Sequence, residues 1–112
     1  MSVTEKTRRS VCDRENLMTS NGHDYHHCFF KSEWFFEVDE EWNGHPPTRH
    51  EHDCIHHPGD EKQALFGHKL EIFLKKQALE RFKSTYSGFK GFEDHVSSLE
   101  RIIKRKSKHY GI

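Results

Sequence analysis

The chain is short of most things that hold a small domain together. Only 32% of its 112 residues are hydrophobic, and Leu, Ile, Val and Phe together number 24, near the level at which chains stop folding unaided. A large core is excluded. The three cysteines, Cys12, Cys28 and Cys54, are odd in number and contain no C-x-x-C pair, which argues against a disulfide framework. No apolar run approaches the ~18 residues of a membrane-spanning helix, and the opening MSVTEKTRRSVCDREN lacks the apolar centre of a signal peptide. The chain therefore reads as soluble and cytoplasmic, with no membrane partner. Net charge is missing too, since 18 Lys and Arg offset 18 Asp and Glu.

Histidine is what the chain has in excess, with 11 residues. Beside so thin a core, a metal held by imidazoles is the first candidate for the missing cross-link. Nine Phe supply the large apolar faces. The neutral total also conceals a division. Residues 1–30 carry four acids and four bases, residues 31–61 nine acids and two bases, and residues 62–112 five acids and twelve bases. Nucleic-acid binding depends on a local basic face rather than on the whole-chain balance, so it stays open. A solvated helix end is the plain alternative.

Punctuation divides the chain into a polar arm over 1–20, a central segment over 21–60 and a helical segment over 61–112, all in one compact domain of the α+β class. The arm shows no periodicity. Tyr25 to Phe30 reads as a short strand, and Glu33 to Val38 as a second β-like or short helical stretch. After Pro46-Pro47, Thr48-Arg49-His50-Glu51 matches a capping box, opening a short helix that Pro58-Gly59 must stop at about His57. Asp60 caps the next helix, expected to run to about Phe82 with an apolar face of Phe66, Leu70, Phe73, Leu74, Ala78 and Phe82. Beyond Gly88 and Gly91, Phe92, Val96, Leu99 and Ile103 repeat at helical spacing, giving a last amphipathic helix over about 92–107. Trp34, Phe35, Phe36 and Trp42 read most simply as core.

The histidine spacing carries chemistry. His52 and His56 stand i, i+4, which on a helix places both rings on one face within reach of one ion. Side chains alternate along a strand, so only one of His26 and His27 points easily at that helix. One binds and the other is free to act. Three protein ligands leave a coordination position open, as catalytic metal sites do. Cys28 and Cys54 lie close enough to keep a mixed Cys/His zinc site as an alternative, although alternation sends Cys28 toward the core. His23, His45, His68, His95 and His109 are scattered and read as surface or half-buried rings.

The texts HDYHHCFFKS and EEWNGHPPTRHEHDCIHH resemble the HNH nuclease family, with its ββα-metal fold, and look most like its colicin-type members. The resemblance covers about residues 21–60. It implies that His26, His52 and His56 hold one divalent ion (Mg, Mn, Ni or Zn), that His27 is the general base, and that Asn43 braces the loop and orients the base. It further implies DNA phosphodiester hydrolysis to 5′-phosphate and 3′-hydroxyl ends, the metal stabilising the phosphorane and the departing 3′ oxygen. A small phage or mobile-element endonuclease, monomer or homodimer, is the corresponding expectation. Many members add two C-x-x-C pairs for a structural zinc; Thr48 and Glu51 stand at the second pair's positions, so that zinc is not expected. Gly44-His45-Pro46-Pro47 replaces the usual apolar second strand, which should be short or irregular. The rival reading is a non-catalytic His-rich metal-binding domain that binds nucleic acid or protein. DNA affinity is assigned to phosphate contacts from Arg101, Lys104, Arg105 and Lys108 on the last helix, with Lys106 beside them, while Arg49, His50 and His57 lie where they could also touch phosphate.

Overall fold

The computed structural model describes residues 3–17 and 25–112; His23 and the boundary placed at residue 21 lie outside them. Helix α1 (Glu5–Arg14) comes first, then strand β1 (His26–His27), a single 3-10 turn (Glu41–Asn43), strand β2 (Gly44–His45), and helices α2 (Arg49–His56), α3 (Glu61–Tyr86) and α4 (Phe92–Tyr110). The coarse α+β class holds. The two strands form an antiparallel ladder in which His26 faces His45 and His27 faces Gly44.

The lead-in, expected to be irregular, is a helix. Thr4 caps it by accepting the Thr7 amide, and Val11 and Cys12 are buried. Its anchor is Arg14, whose guanidinium donates to the carbonyls of Glu41 at 2.7 Å and Gly44 at 2.6 Å. Gly44 is glycine because a Cβ there would meet the Tyr25 ring and come within 2.7 Å of Val11. The contact between α1 and β2 thus depends on one missing side chain.

The stretch Glu33 to Val38 forms no regular element. Side chains take over the role of a ladder there, satisfying backbone groups that would otherwise be lost in a half-buried loop. Asn43, fully buried, accepts from the Phe29 amide at 2.7 Å and donates to the carbonyls of Phe29 and Val38 at 2.9 and 3.0 Å. The Tyr25 hydroxyl lies between the carbonyls of Val38 and Glu40. Of the four aromatics read as core, Trp34 and Trp42 are buried and Phe36 is half-buried, but Phe35 is 81% exposed.

The capping box is present as read. Thr48 accepts from the Glu51 amide while Glu51 accepts from the Thr48 amide. Asp60 caps α3 through the Gln63 amide, and α3 runs four residues beyond Phe82, to Tyr86. Its inward seam differs from the one expected. Glu71, Leu74, Lys75, Ala78 and Phe82 are buried, whereas Phe66 and Phe73 are exposed. The reason is that α3 packs on α2, on α4 and on the 3-10 turn together. At the α2 crossing Gly67 brings the backbones together, since a Cβ there would strike the Cys54 carbonyl. Helix α4 buries Leu99, Ile102 and Ile103 and closes at Gly111, whose left-handed φ of 74° suits glycine.

No helix among the described residues is long and apolar enough to cross a membrane.

Candidate functional site

The short ladder and α2 bring the expected imidazoles together. The His52 and His56 ring centroids are 4.8 Å apart, as their spacing on one helix face requires, and the His26 ring lies 5.5 Å from that of His56. Phe30 walls the group, its ring 5.9 Å from His26 and 5.7 Å from His56. His26 is buried, and its Nε2 has no hydrogen-bond partner. Burial lowers its pKa from 6.5 to about 3, reinforced by His56 and by the Lys75 ammonium. Burial also lowers His56, with His52 and His57 adding to the effect. Neutral imidazoles are the ligand form.

These side chains fit a borderline divalent ion in donor type and in proximity, and a buried, orphaned ring nitrogen is what a ligand awaiting an ion leaves behind. Among the described residues, however, no three His, Cys, Asp or Glu side chains are arranged to hold an ion. The three rings are neighbours without converging on one point. The mixed Cys/His alternative gains nothing. Cys28 is buried in the apolar core, as alternation predicts, and the Cys54 thiol lies against His50 at 3.6 Å.

His27 points the other way from β1. Its Nε2 is 2.6 Å from Oδ1 of Asp39, a residue that sequence reasoning did not single out. Burial raises the Asp39 carboxyl pKa, but the His27 hydrogen bond and the Lys31 ammonium, 3.5 Å away, outweigh that and hold it below the usual carboxylate value. An ionised Asp39 can only accept. It therefore fixes the proton on Nε2 and leaves the lone pair on Nδ1. A cleft of about 440 Å³ opens beside this pair, lined by Lys31, Trp34, Phe35, Asp39 and Glu40 among others. Position four residues before Asn43 was the one available signal for Asp39, and five acids between residues 33 and 41 masked it.

Asn43 is placed with the loop rather than with the solvent. Its three bonds tie residues 29 and 38 together, so it supports the segment that carries Asp39 and touches neither the His cluster nor the open cleft. Below the His cluster lies a charged network that the sequence did not reveal. Lys75, 0% exposed, donates to the Cys28 carbonyl at 2.8 Å and pairs with Glu33 at 3.0 Å and Glu71 at 3.1 Å. Its ammonium sits 3.8 Å from the centre of the Phe30 ring. Lys106 joins the same network, 3.4 Å from Glu33, which removes it from the outward basic group. Arg101, Lys104, Arg105 and Lys108 do face solvent.

Of the scattered histidines among the described residues, His109 is exposed beside Tyr110 and the other three have defined neighbours. His45 lies between Glu15 and Glu51, at 3.7 and 3.8 Å. His68 stacks on Tyr110 at 3.8 Å, and His95 packs edge-on against Trp34 and Phe36. Arg49 pairs with Asp53 at 3.6 Å, and His50 stacks on Phe66. Compared with known protein families, with curated proteins and with solved structures, the chain matches none.

Proposed function

We propose that the protein is a metal-dependent DNA endonuclease of the HNH type. The observation that carries the reading is the division of the His pair. His26 turns into a cluster with His56 and His52, while His27 turns the other way and is held by the carboxylate of Asp39, which borders an open cleft. A purely structural metal site would have no use for the second arrangement.

His26, His52 and His56 would hold the ion. Such an ion supplies charge neutralisation at the phosphate and assistance to the departing 3′ oxygen. Everything else falls to the chain. His27, with its lone pair on Nδ1, takes a proton from water as the water oxygen bonds to phosphorus. The bond from phosphorus to the 3′ oxygen then breaks, leaving a 5′-phosphate, while the 3′ oxygen takes a proton from solvent water to become the 3′-hydroxyl and His27 returns its proton to solvent. Asp39 stabilises the imidazolium that forms and keeps the ring from rotating, the role of a carboxylate behind any histidine base. Asn43 keeps that carboxylate in place by bonding the Val38 carbonyl immediately before it and tying it to Phe29. Arg101, Lys104, Arg105 and Lys108 supply phosphate contacts that do not depend on base sequence, each worth a slope of about −0.9 in log affinity against log salt.

Calorimetric titration of chelator-treated protein with Mg²⁺, Mn²⁺, Ni²⁺ and Zn²⁺, with thermal melts at each point, tests the metal half of the proposal. A site that exists only in the folded state couples binding to stability. The wild type should melt higher with metal, and His52→Ala or His56→Ala should lose both the binding and the shift. Melts indifferent to metal and chelator would overturn the ligand assignment. Metal-dependent stability with no cleavage of any nucleic acid would instead select the non-catalytic His-rich domain.

A further inference from the structure

The nuclease reading leaves the outward face of α3 without a role, and that face is unusual. Lys62, Phe66, Lys69, Phe73 and Lys76 follow one another at steps of four, three, four and three residues, so they form one lane along the helix. All five are exposed, Phe66 at 44% and Phe73 at 54%. The lane lies opposite the buried seam of Glu71, Lys75, Ala78 and Phe82 and is about 21 Å long at 1.5 Å per residue. Among the described residues Lys62, Lys69 and Lys76 pair with no carboxylate, whereas Lys83 beyond them pairs with Glu80 at 3.3 Å. At its α2 end the lane continues through His50, whose ring stacks on Phe66 with centroids 5.8 Å apart and planes 27° apart.

We propose that this lane binds single-stranded nucleic acid, with Phe66 and Phe73 as stacking platforms and Lys62, Lys69 and Lys76 as phosphate partners. Surface phenylalanines scattered singly need no explanation. Two of them interleaved with three unpaired cations do, because aromatic platforms along a basic track are how proteins bind strands whose bases are not already paired. The two platforms are seven residues apart, about 10.5 Å, which is about three nucleotides of a stacked strand at 3.4 Å each. The three lysines have the same period. A duplex hides its base faces and would use only the lysines. A second copy of this chain would bury three like charges on each side, which disfavours self-association through the lane. The proposal deepens the nuclease reading by naming the form of its substrate, yet its test involves no cleavage.

The test is fluorescence anisotropy of a labelled fifteen-nucleotide oligothymidylate and of a fifteen-base-pair duplex, both in chelator, across a series of salt concentrations. Phe66→Leu with Phe73→Leu keeps the apolar surface and removes the π-faces. It should weaken single-strand binding about tenfold or more, since stacking is worth about 5- to 150-fold per base, and change duplex binding less than twofold. The triple variant Lys62→Gln, Lys69→Gln, Lys76→Gln should flatten the single-strand salt slope by about 2, three contacts at about 0.7 each. Circular dichroism melts accompany both variants, and restoring the rings as Phe66→Tyr and Phe73→Tyr should recover affinity if the leucine pair loses it. Unchanged single-strand affinity in the leucine pair, or equal loss on strand and duplex, overturns the proposal. So does a wild-type dimer in sedimentation that the lysine variant abolishes or strengthens, because the lane would then be a self-interface. If the lane fails and His27-dependent cleavage survives, the nuclease reading stands without it; if strand binding holds and nothing is cleaved, the reverse applies.

Discussion

Between residues 25 and 60 the backbone makes two strands of two residues each, one 3-10 turn and one helix of eight residues, whereas from 61 onward two helices of 26 and 19 residues take up nearly everything. The helical half satisfies its own backbone and needs only an apolar seam. The central half cannot, and the missing partners come from long side chains reaching in from elsewhere. Arg14 reaches Glu41 and Gly44 from α1. Arg81 reaches Trp42 at 2.9 Å and Lys75 reaches Cys28 at 2.8 Å, both from α3. The chain with too little apolar content to fold comfortably thus uses buried cations as tie-rods. The difference teaches where function sits: the proposed ligands and base all lie in the half whose shape is set by discrete polar contacts, each of which a single substitution removes.

The joint between the halves is the place to break that scheme. Lys75→Ala removes the fully buried cation between Glu33 and Glu71 and should cost about 3–5 kcal/mol, because two buried carboxylates are left with only the more distant Lys106 ammonium between them. Urea denaturation measures it, and a loss below 1 kcal/mol would show that the network is not what joins the halves. Asn43→Ala should cost less, about 1–3 kcal/mol for the loop groups left unpartnered. It should also reduce cleavage with little change in metal occupancy; an unchanged rate would remove Asn43 from the site.

Acid should separate the halves more gently. In metal-free protein the pKa of His26 lies near 3, and those of His56 and His45 also lie below 6.5, each lowered first by burial. The unfolded chain then binds more protons below about pH 6.5 than the folded one. Stability should be full above that pH and decline as pH falls toward 3, before Asp39 protonates. Urea midpoints at pH 7.5 and pH 5 check this, and a higher midpoint at pH 5 would contradict it.

How much of this was legible follows from the same division. The helices could be read because capping residues, Pro58-Gly59 and apolar spacing repeat within a short window, as Thr48, Asp60 and Leu99 show. Helix α1 was missed because its cap, Thr4, opens a stretch with only two buried apolar residues, Val11 and Cys12. The α3 seam was misread because Phe66 and Phe73 outrank Glu71 and Lys75 on any apolarity scale, and nothing local shows that those two charges neutralise one another inside. The His cluster was legible from i, i+4 spacing and strand alternation. Asp39 was not, since which of five nearby acids meets His27 depends on a loop folded by Asn43.

The central claim is that His26 and His27, adjacent in the chain, do different work. It is tested most directly by incubating His27→Ala and wild type with supercoiled plasmid in the metal that best stabilises the protein, with metal affinity measured on the same samples. The account predicts that wild type cuts, that His27→Ala does not, and that the two bind metal within about twofold of one another. Cleavage retained in His27→Ala, or metal affinity lost with it, would contradict the division of roles.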